Sequence, residues 1–411
     1  MKTRVAVFLG GRSPEHDVSV VTGLQALQAL DQTRFDAFVV YVTPQGDWLT
    51  GPGLEDRRNY LPDAQLRAKL TEVTLDIAAG AGGRLVPRKI GMFSRPRPIE
   101  FDVALPAFHG LVGEDGQMQG LFESANIAYT GMRTLAAAVL MDKVATKRML
   151  AGSGIPMLGH ALVERPETGL PPAAALAAPL AEIGFPCIVK PVHLGSSIGV
   201  GKADNVEEVR ALLAAIFRLD TQALIEPFVP NLVEYNVAVA RLGGAPRCSA
   251  IEQPKRVEDL LDFRQKYLSG GSGGNKSGDK NLGAPSEGML SLTRDINPVL
   301  PGQQAPDIRR WALAAFEAVG GAGAPRIDFL CNEATGEVWL NEVNPCPGSF
   351  AFYLWEAAYL WEAAPNSSDG SGPIGFTALL SRLIEEAQTR HRAVQLPDDP
   401  VPADARLLKR P

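Results

Sequence analysis

Residues 326–348 read RIDFLCNEATGEVWLNEVNPCPG, in which two strand-like segments flank a turn. Side chains alternate faces along a strand, so Arg326 shares a face with Asp328, and Glu342 shares one with Asn344. If the segments pair as a hairpin, the four polar groups lie on one patch. Two carboxylates and an amide oxygen suit Mg²⁺, and an adjacent arginine would stabilise developing negative charge. An exposed hairpin with outward polar residues is the alternative.

Composition narrows the class of protein. The 411 residues are 45% hydrophobic and 21% charged, with a net charge of −6. These values predict a soluble protein of two or three domains and argue against nucleic-acid binding as its main task. The longest apolar runs are too short for a membrane span or a secretory signal, so we expect a cytoplasmic protein. No metal or disulfide pattern is formed by the four cysteines, Cys187, Cys248, Cys331 and Cys346.

The N-terminal part alternates strands and helices. Residues 4–9 and 37–42 are predicted strands on either side of a helix over 18–30, and 102–106 is a further strand. This order predicts an α/β unit with a doubly wound parallel sheet. The G-x-G-x-x-G fingerprint is absent, which excludes the usual dinucleotide site. Residues 45–97 are rich in Gly, Pro and Arg and are expected to form an irregular excursion.

The second half predicts an α+β arrangement. Helices are expected over 135–150, 173–183 and 206–216, with strands over 187–190, 223–226 and 234–240. The Gly/Ser-rich segment 268–288 predicts a mobile lid or disorder, and the tail beyond 398 is expected to be peripheral. The hexapeptide YLWEAA occurs at 353–358 and again at 359–364. On a helix the copies are about 240° apart, so only one can line a given pocket.

Two glycine-containing loops carry the remaining polar motifs. The sequence after Lys190, PVHLGSSIGV, would let backbone amides approach phosphate oxygens, with Lys143 and Lys266 as further cations. Each lysine alone is more often a surface residue. Residues 109–120, HGLVGEDGQMQG, describe a tightly turned loop that begins with His109, where a strand ends and α/β proteins bind ligands. Capping of the next helix by Glu114 and Asp115 is the structural alternative.

Together these motifs resemble the D-alanine–D-alanine ligase family of the ATP-grasp superfamily. The resemblance rests on two motifs, residues 109–120 and the pair RID at 326–328 with EVNPCPG at 342–348. Four shorter motifs support it: GGRSPEHDVS at 10–19, MDK at 141–143, KP…GSS at 190–197 and KY at 266–267. It implies a three-domain ATP-grasp ligase. The expected domains are an N-terminal substrate domain at 1–132, a central ATP-grasp subdomain at 133–226, and a C-terminal subdomain at 227–411 with the metal site and a mobile loop at 266–288.

The resemblance also implies roles for individual residues. One more residue separates Glu226 from Glu234 than is usual in the family. The expected metal ions are two Mg²⁺, with Mn²⁺ as a substitute. The implied sets are ATP-binding Lys143, Lys190, Glu226, Glu234 and Lys266; metal-binding Asp328, Glu342 and Asn344; catalytic Glu15, Ser196, Tyr267, Arg326 and Gly348; and substrate-binding His109 and Tyr353.

The activity implied by the resemblance is ATP-dependent ligation of two D-alanines through D-alanyl phosphate, for peptidoglycan precursor synthesis. The implied assembly is a homodimer with small-molecule partners only. Where the family has a serine that binds the acceptor carboxylate, this chain has Tyr353. The same chemistry with D-lactate, D-serine or another amino acid as acceptor therefore stays open. An ATP-binding homologue that no longer ligates is the third hypothesis.

Overall fold

The computed structural model describes residues 1–60, 64–78, 82–88, 97–255, 294–357 and 373–393. Within these ranges the strands form three sheets of eight, four and five strands. The first sheet is parallel around β1 and antiparallel beyond β2, in the order β6-β5-β4-β3-β2-β1-β7-β8. Its strands are β1 Thr3–Gly10, β2 Phe35–Val42, β3 Trp48–Thr50, β4 Thr71–Leu75, β5 Gly83–Pro87, β6 Ile99–Phe101, β7 Val103–Pro106 and β8 Ala128–Tyr129.

The expectation of an irregular excursion over 45–97 is wrong. The strands β3, β4 and β5 extend the sheet by antiparallel pairing in this stretch. They are only three to five residues long. A strand of that length shows too few alternations to stand out among the surrounding Gly and Pro residues. The parallel strand β1, by contrast, is buried on both faces and reads as a continuous apolar run.

The other two sheets carry most of the predicted site. Both are antiparallel, with orders β11-β10-β12-β9 and β15-β14-β13-β16-β17. The strands are β9 Ala161–Glu164, β10 Cys187–Pro191, β11 Gly201–Ala203, β12 Gln222–Pro227, β13 Leu232–Arg241, β14 Pro246–Pro254, β15 Arg294–Ile296, β16 Arg326–Asn332 and β17 Val338–Asn344.

The predicted single helix over 135–150 is instead two helices that meet at Asp142. Asp142 has extended backbone angles, and its carboxylate accepts hydrogen bonds from the amides of Val144 and Ala145, both at 2.8 Å. An internal aspartate can thus act as an N-cap and restart a helix. The helices are α1 His16–Ala29, α2 Ala64–Arg67, α3 Gln117–Ser124, α4 Thr134–Met141, α5 Lys143–Met149, α6 Ala173–Ile183, α7 Val206–Ile216, Gln304–Ala318, Phe352–Glu356 and Phe376–Ala393, with 3₁₀ turns Arg57–Asn59 and Gly348–Ala351.

The C-terminal elements pack on the first sheet and so bring distant motifs together. Phe350, Leu354 and Trp355 share one buried apolar cluster with Val5 and Val7 of β1, and α1 contacts the turn Gly348–Ala351. Burial of these side chains fixes the end of the 326–348 stretch against α1. Within the described ranges, no helix has the length and apolar character needed to cross a membrane.

Candidate active site

Two lysines converge on the strand that ends the 326–348 hairpin. Lys143, the first residue of α5, donates to the Leu194 carbonyl at 2.7 Å, and its Nζ lies 3.6 Å from Glu342. Lys190, on β10, donates to Asn341 Oδ1 at 2.9 Å. Burial lowers the pKa of Lys143, as does the neighbouring Lys190 charge, whereas Glu342 raises it. The two cations therefore face β17 from two different elements, an arrangement suited to a polyanion.

The carboxylate of Glu226 lies between two lysines. Its oxygens are 2.6 Å from Lys190 Nζ and 2.8 Å from Lys147 Nζ. Burial raises the pKa of Glu226, but Lys190 and Lys147 outweigh it and hold the pKa below its usual value. Glu226, predicted to lie near adenine, thus holds Lys190 and Lys147 in position. Sequence reasoning missed Lys147, although its place four residues after Lys143 puts both on one helix face.

His193 connects the segments that carry the two lysines. Its Nδ1 is 2.8 Å from Asp220 Oδ1, and its Nε2 is 3.5 Å from Asp142 Oδ2. Hydrogen bonds to Asp142 and Asp220 raise the pKa of His193 to about 9. A protonated His193 therefore joins the cap of α5 to the loop that follows β10.

The loop after His193 reaches the N-terminal motif. Ser196 and Ser197 have left-handed backbone angles, with φ of 53° and 59°. Such angles are uncommon for residues other than glycine, and they turn the chain sharply at this point. The Ser196 hydroxyl donates to Glu15 Oε1, at the start of α1. The predicted pair of Ser196 and Glu15 is therefore in direct contact, while its predicted third member, Tyr267, lies outside the described residues, as does Lys266.

His109 contacts α1 through Thr22. Its Nε2 is 2.9 Å from the Thr22 hydroxyl, which also accepts the Ser349 amide at 3.1 Å. Burial, together with the nearby Arg326 charge, lowers the pKa of His109 to about 3, so the ring is neutral. Gly110 must be glycine, because a Cβ there would lie 2.6 Å from Glu15 Oε2 and its φ is +76°.

Glu114 joins the loop at 109–116 to the loop after β17. Its carboxylate accepts the Gly110 amide at 2.6 Å and the Cys346 amide at 2.9 Å. Burial and the Glu15 charge raise the pKa of Glu114 to about 8, while the two amide hydrogen bonds oppose that rise. The partners of Glu114 are thus in two loops rather than at a helix end. Of the capping pair considered from sequence, only Asp115 contacts α3, where it accepts the Gln117 amide at 3.2 Å.

Arg326 and Asp328 form the centre of the hairpin. Strands β16 and β17 pair with Arg326 opposite Asn344 and Asp328 opposite Glu342. The guanidinium donates to both Asp328 oxygens, at 2.7 and 2.6 Å, and the Asn344 amide donates to Asp328 at 2.9 Å. Glu342 is instead the hairpin residue that approaches Lys143.

The predicted metal ligands supply a suitable donor set. Asp328, Glu342 and Asn344 offer two carboxylates and an amide on paired strands, which are the oxygen donors that Mg²⁺ prefers. In the described part of the chain, no group of three or more His, Cys, Asp or Glu side chains is placed to hold a metal. Two carboxylates and an amide would leave positions for substrate phosphates and water, as is usual for Mg²⁺.

The chain turns sharply after Gly348. Ser349, Phe350 and Ala351 all have left-handed backbone angles, with φ of 52°, 55° and 48°. Each such residue costs about 1–2 kcal/mol, so surrounding contacts must hold the turn. Ser349 donates through its amide to Thr22 and through its hydroxyl to Gln25. This turn aims Tyr353 back toward the third sheet.

Tyr353 lies against the third sheet. Its hydroxyl donates to Glu252 Oε1 at 3.0 Å, and the Arg294 guanidinium lies 4.4 Å from its ring centroid. The first YLWEAA copy is described as far as Ala357, whereas the second lies outside the described residues. Glu234, predicted to bind ribose, is partly buried on β13 opposite Leu330. Sequence reasoning missed Glu252 and Arg294, which belong to no motif.

Comparison with known proteins agrees with these motifs. A family model described as D-ala D-ala ligase N-terminus matches residues 4–132, and one described as D-ala D-ala ligase C-terminus matches residues 149–364. The chain belongs to the D-alanine–D-alanine ligase family. Family membership confirms the resemblance drawn from the motifs and the prediction of an ATP-dependent ligase that forms a C–N bond.

Named relatives span nearly the whole chain. The D-alanine–D-alanine ligase of Bacillus velezensis is 31% identical over 392 residues, covering 94% of this chain and 98% of the relative. That of Deinococcus radiodurans is 33% identical over 388 residues, covering 94% and 99%.

Solved structures extend the comparison to the fold. The D-alanine–D-alanine ligase of Helicobacter pylori has a TM-score of 0.63 and 27% identity, covering 94% of this chain and 99% of that one. The VanG D-Ala:D-Ser ligase of Enterococcus faecalis has a TM-score of 0.70 and 23% identity, covering 94% and 100%. These likenesses confirm the predicted fold class.

Proposed function

We propose that this protein joins two D-alanine molecules, using ATP to activate the first as D-alanyl phosphate, for peptidoglycan precursor synthesis. The observation that carries the proposal is the approach of Lys143 and Lys190 to β17, directly beside Arg326 and Asp328. A carboxylate is a poor electrophile until it is phosphorylated, and this cluster combines cations for phosphates with an arginine for the reacting carbonyl.

Each group then has a task within the reaction. Lys143 and Lys190 bind and orient the ATP phosphates, and Glu226 with Lys147 keeps Lys190 in place. Mg²⁺ held by Asp328, Glu342 and Asn344 would neutralise charge on the transferring phosphoryl group. Arg326 and the Gly348 amide stabilise the oxyanion when the second amine attacks the acyl carbon.

The donor substrate would lie beneath the N-terminal motif. Glu15 is buried and bonded to Ser196, so its carboxylate offers a fixed partner for the donor ammonium. Neutral His109 lies near Arg326 without adding a competing charge. The alkylammonium of D-alanine thus has a defined anionic contact next to the reacting centre.

The direct test is product formation by the purified full-length protein. With ATP, Mg²⁺ and D-alanine we expect one phosphate released for each D-alanyl-D-alanine detected by mass. A Lys190→Ala variant should lose both signals, whereas Lys69→Ala, which removes an exposed lysine far from the site, should retain them. Absence of D-alanine-dependent phosphate release from the unmodified protein would refute the proposal.

Ligation to a different acceptor is the second candidate, and the contact of Tyr353 with Glu252 favours it. The same assay with D-serine, D-lactate and an amino-acid panel, read by product mass, separates the two candidates. ATP binding without turnover across that panel would instead indicate a homologue that no longer ligates. The domain boundaries, cytoplasmic location and homodimer expected from the resemblance stay predictions.

A further inference from the structure

A buried threonine of α1 contacts two loops that are far apart in the chain. Thr22 is 1% exposed. Its hydroxyl oxygen accepts the Ser349 amide at 3.1 Å and lies 2.9 Å from His109 Nε2. His109 begins the loop at 109–120, and Ser349 directly follows Gly348. One hydroxyl group therefore connects the loop of a proposed substrate-binding residue to the loop of the proposed oxyanion donor.

The two contacts of Thr22 determine which group donates to His109. A threonine hydroxyl has one proton to donate and two lone pairs. The Ser349 amide can only donate, so it occupies a lone pair of the hydroxyl oxygen. Among the described residues Thr22 has no further hydrogen-bond partner, and a buried hydroxyl proton without an acceptor would be costly. The hydroxyl of Thr22 is therefore the donor, and His109 Nε2 is the acceptor.

This hydrogen bond determines the tautomer of His109. Burial and the nearby Arg326 charge lower the pKa of His109 to about 3, so the ring carries a single proton near neutral pH. The nitrogen that accepts a hydrogen bond cannot carry that proton, so the bond at Nε2 places the proton on Nδ1.

The same hydroxyl helps to hold the turn that follows Gly348. Ser349 and the two residues after it have φ of 52°, 55° and 48°, which residues other than glycine keep only when surrounding contacts hold them. Two residues of α1 supply such contacts: Thr22 accepts the Ser349 amide, and Gln25 accepts its hydroxyl proton. Because Gly348 directly precedes this turn, the position of its amide depends on both bonds.

We propose that Thr22 is a positioning residue that fixes two groups of the reaction together, His109 as its Nδ1–H tautomer and the turn that carries the Gly348 amide. This inference rests on the proposed ligase function, within which both groups act. A change at Thr22 should therefore affect the reaction at the acyl carbon and leave the binding of ATP unchanged.

The tautomer can be measured without any substrate. In the full-length protein labelled with ¹⁵N-histidine, long-range ¹H–¹⁵N correlation spectra distinguish a protonated ring nitrogen from an unprotonated one. The signals of His109 are those that disappear in His109→Gln. Near pH 7 we expect Nδ1 protonated and Nε2 unprotonated in the unmodified protein. Thr22→Val keeps the branched shape without the hydroxyl and should raise the fraction protonated at Nε2, whereas Thr22→Ser should restore the original pattern.

The effect on the turn is measured by kinetics. Hydroxylamine attacks the acyl carbon of D-alanyl phosphate, forming a C–N bond and releasing phosphate and a proton, so D-alanine hydroxamate forms without an amino-acid acceptor. In Thr22→Val we expect kcat to fall about 10- to 100-fold for both hydroxamate and dipeptide, because the buried Ser349 amide loses its acceptor. The KM for ATP should change by less than about 2-fold. Thr22→Ser should recover most of the lost kcat.

Two further variants separate the parts of the inference. Gln25→Leu removes only the bond to the Ser349 hydroxyl, so it should lower kcat about 3- to 10-fold and leave the His109 signals unchanged. Thr74→Val makes the same chemical change at an exposed position of β4 and should alter neither the spectra nor the kinetics.

The outcomes distinguish this inference from the proposed function. A proton on Nε2 of His109 in the unmodified protein overturns the inference, as does an unchanged kcat in Thr22→Val. If Thr22→Val does not fold, the spectrum of the unmodified protein and the kinetics of Gln25→Leu decide in its place. If the unmodified protein makes no hydroxamate from D-alanine, the proposed function itself fails, while the tautomer of His109 can still be measured.

Discussion

The two ends of the third sheet are built in different ways. At the β17 end, Lys143 and Lys190 arrive from the α5 and β10 segments and approach polar residues of β17. At the β14–β15 end, Asn236, Tyr353 and Arg294 all donate hydrogen bonds to the buried Glu252 carboxylate. At the first end, cations from two separate elements therefore face one region. At the second end, the side chains already hold one another in fixed positions.

This contrast indicates how the two substrates are distinguished. A triphosphate carries several negative charges and can be bound by cations from separate segments of the chain. A small acceptor offers one carboxylate and one amine, so its recognition depends on side chains that are already fixed. Changes at the β17 end should consequently affect every reaction of the protein, and changes at the other end only those that use an amino-acid acceptor.

Removing Lys190 should have the largest effect. Lys190→Ala removes the proposed phosphate contact and leaves Glu226 paired with Lys147. Loss of a preorganised electrostatic contact costs about 10²–10³-fold in rate, and we expect that reduction in kcat/KM for both hydroxamate and dipeptide. A selective loss of dipeptide alone would contradict the assignment of Lys190 to the nucleotide end.

Glu114 should come next, because it connects the loop after β17 to the loop at 109–116. Glutamine in its place keeps the volume but offers one accepting oxygen to the amides of Gly110 and Cys346. An unsatisfied buried amide costs about 1–3 kcal/mol. We therefore expect Glu114→Gln to lower kcat about 10-fold in both assays, with less change in the KM for ATP.

Glu114→Asp tests whether the length of the side chain matters as well as its two accepting oxygens. The shorter carboxylate cannot span both amides, so its kcat should also fall. Full activity in both variants would show that other contacts suffice to fix the loop that carries Gly348.

The sequence predicted the polar residues grouped at the β17 end of the third sheet, but not those grouped at the β14–β15 end. Lys143, Lys190, Arg326 and Asp328 lie in short motifs whose residue types match phosphate and metal chemistry. Glu252 and Arg294 lie 42 positions apart along the chain and meet only because β14 pairs with β15. Such a contact depends on strand register, which local patterns do not specify. The strands β3–β5 were missed for a different reason, their short length, and the cap at Asp142 lay inside an otherwise continuous helical pattern.

Tyr353→Phe should have a smaller and more selective effect. It removes the hydroxyl that donates to Glu252 but keeps the ring beneath Arg294. Loss of one such hydrogen bond costs about 1 kcal/mol, so the acceptor KM should rise roughly 3- to 10-fold. The KM for ATP and the hydroxamate rate should stay constant. A change in the KM for ATP would mean that the two ends are not independent.

The smallest effect should come from His193, and it should depend on pH. The pKa of His193 is raised to about 9 in the folded protein by Asp142 and Asp220. Because the pKa of His193 is higher in the folded than in the unfolded protein, the protonated ring stabilises the folded state. This stabilisation is fully present below the ordinary pKa of about 6.5 and is lost as the pH rises through 9. His193→Gln should therefore lower Tm at pH 6 by only about 1–3 °C, because solvent weakens a partly exposed ion pair. At pH 9.5 the decrease should be smaller, because the ring is then largely deprotonated in the unmodified protein as well. Thermal unfolding of both proteins across pH 6–9.5 measures this difference. A difference in Tm that is the same at every pH would show that the ring acts by packing, and that the link between the two lysine segments is not electrostatic.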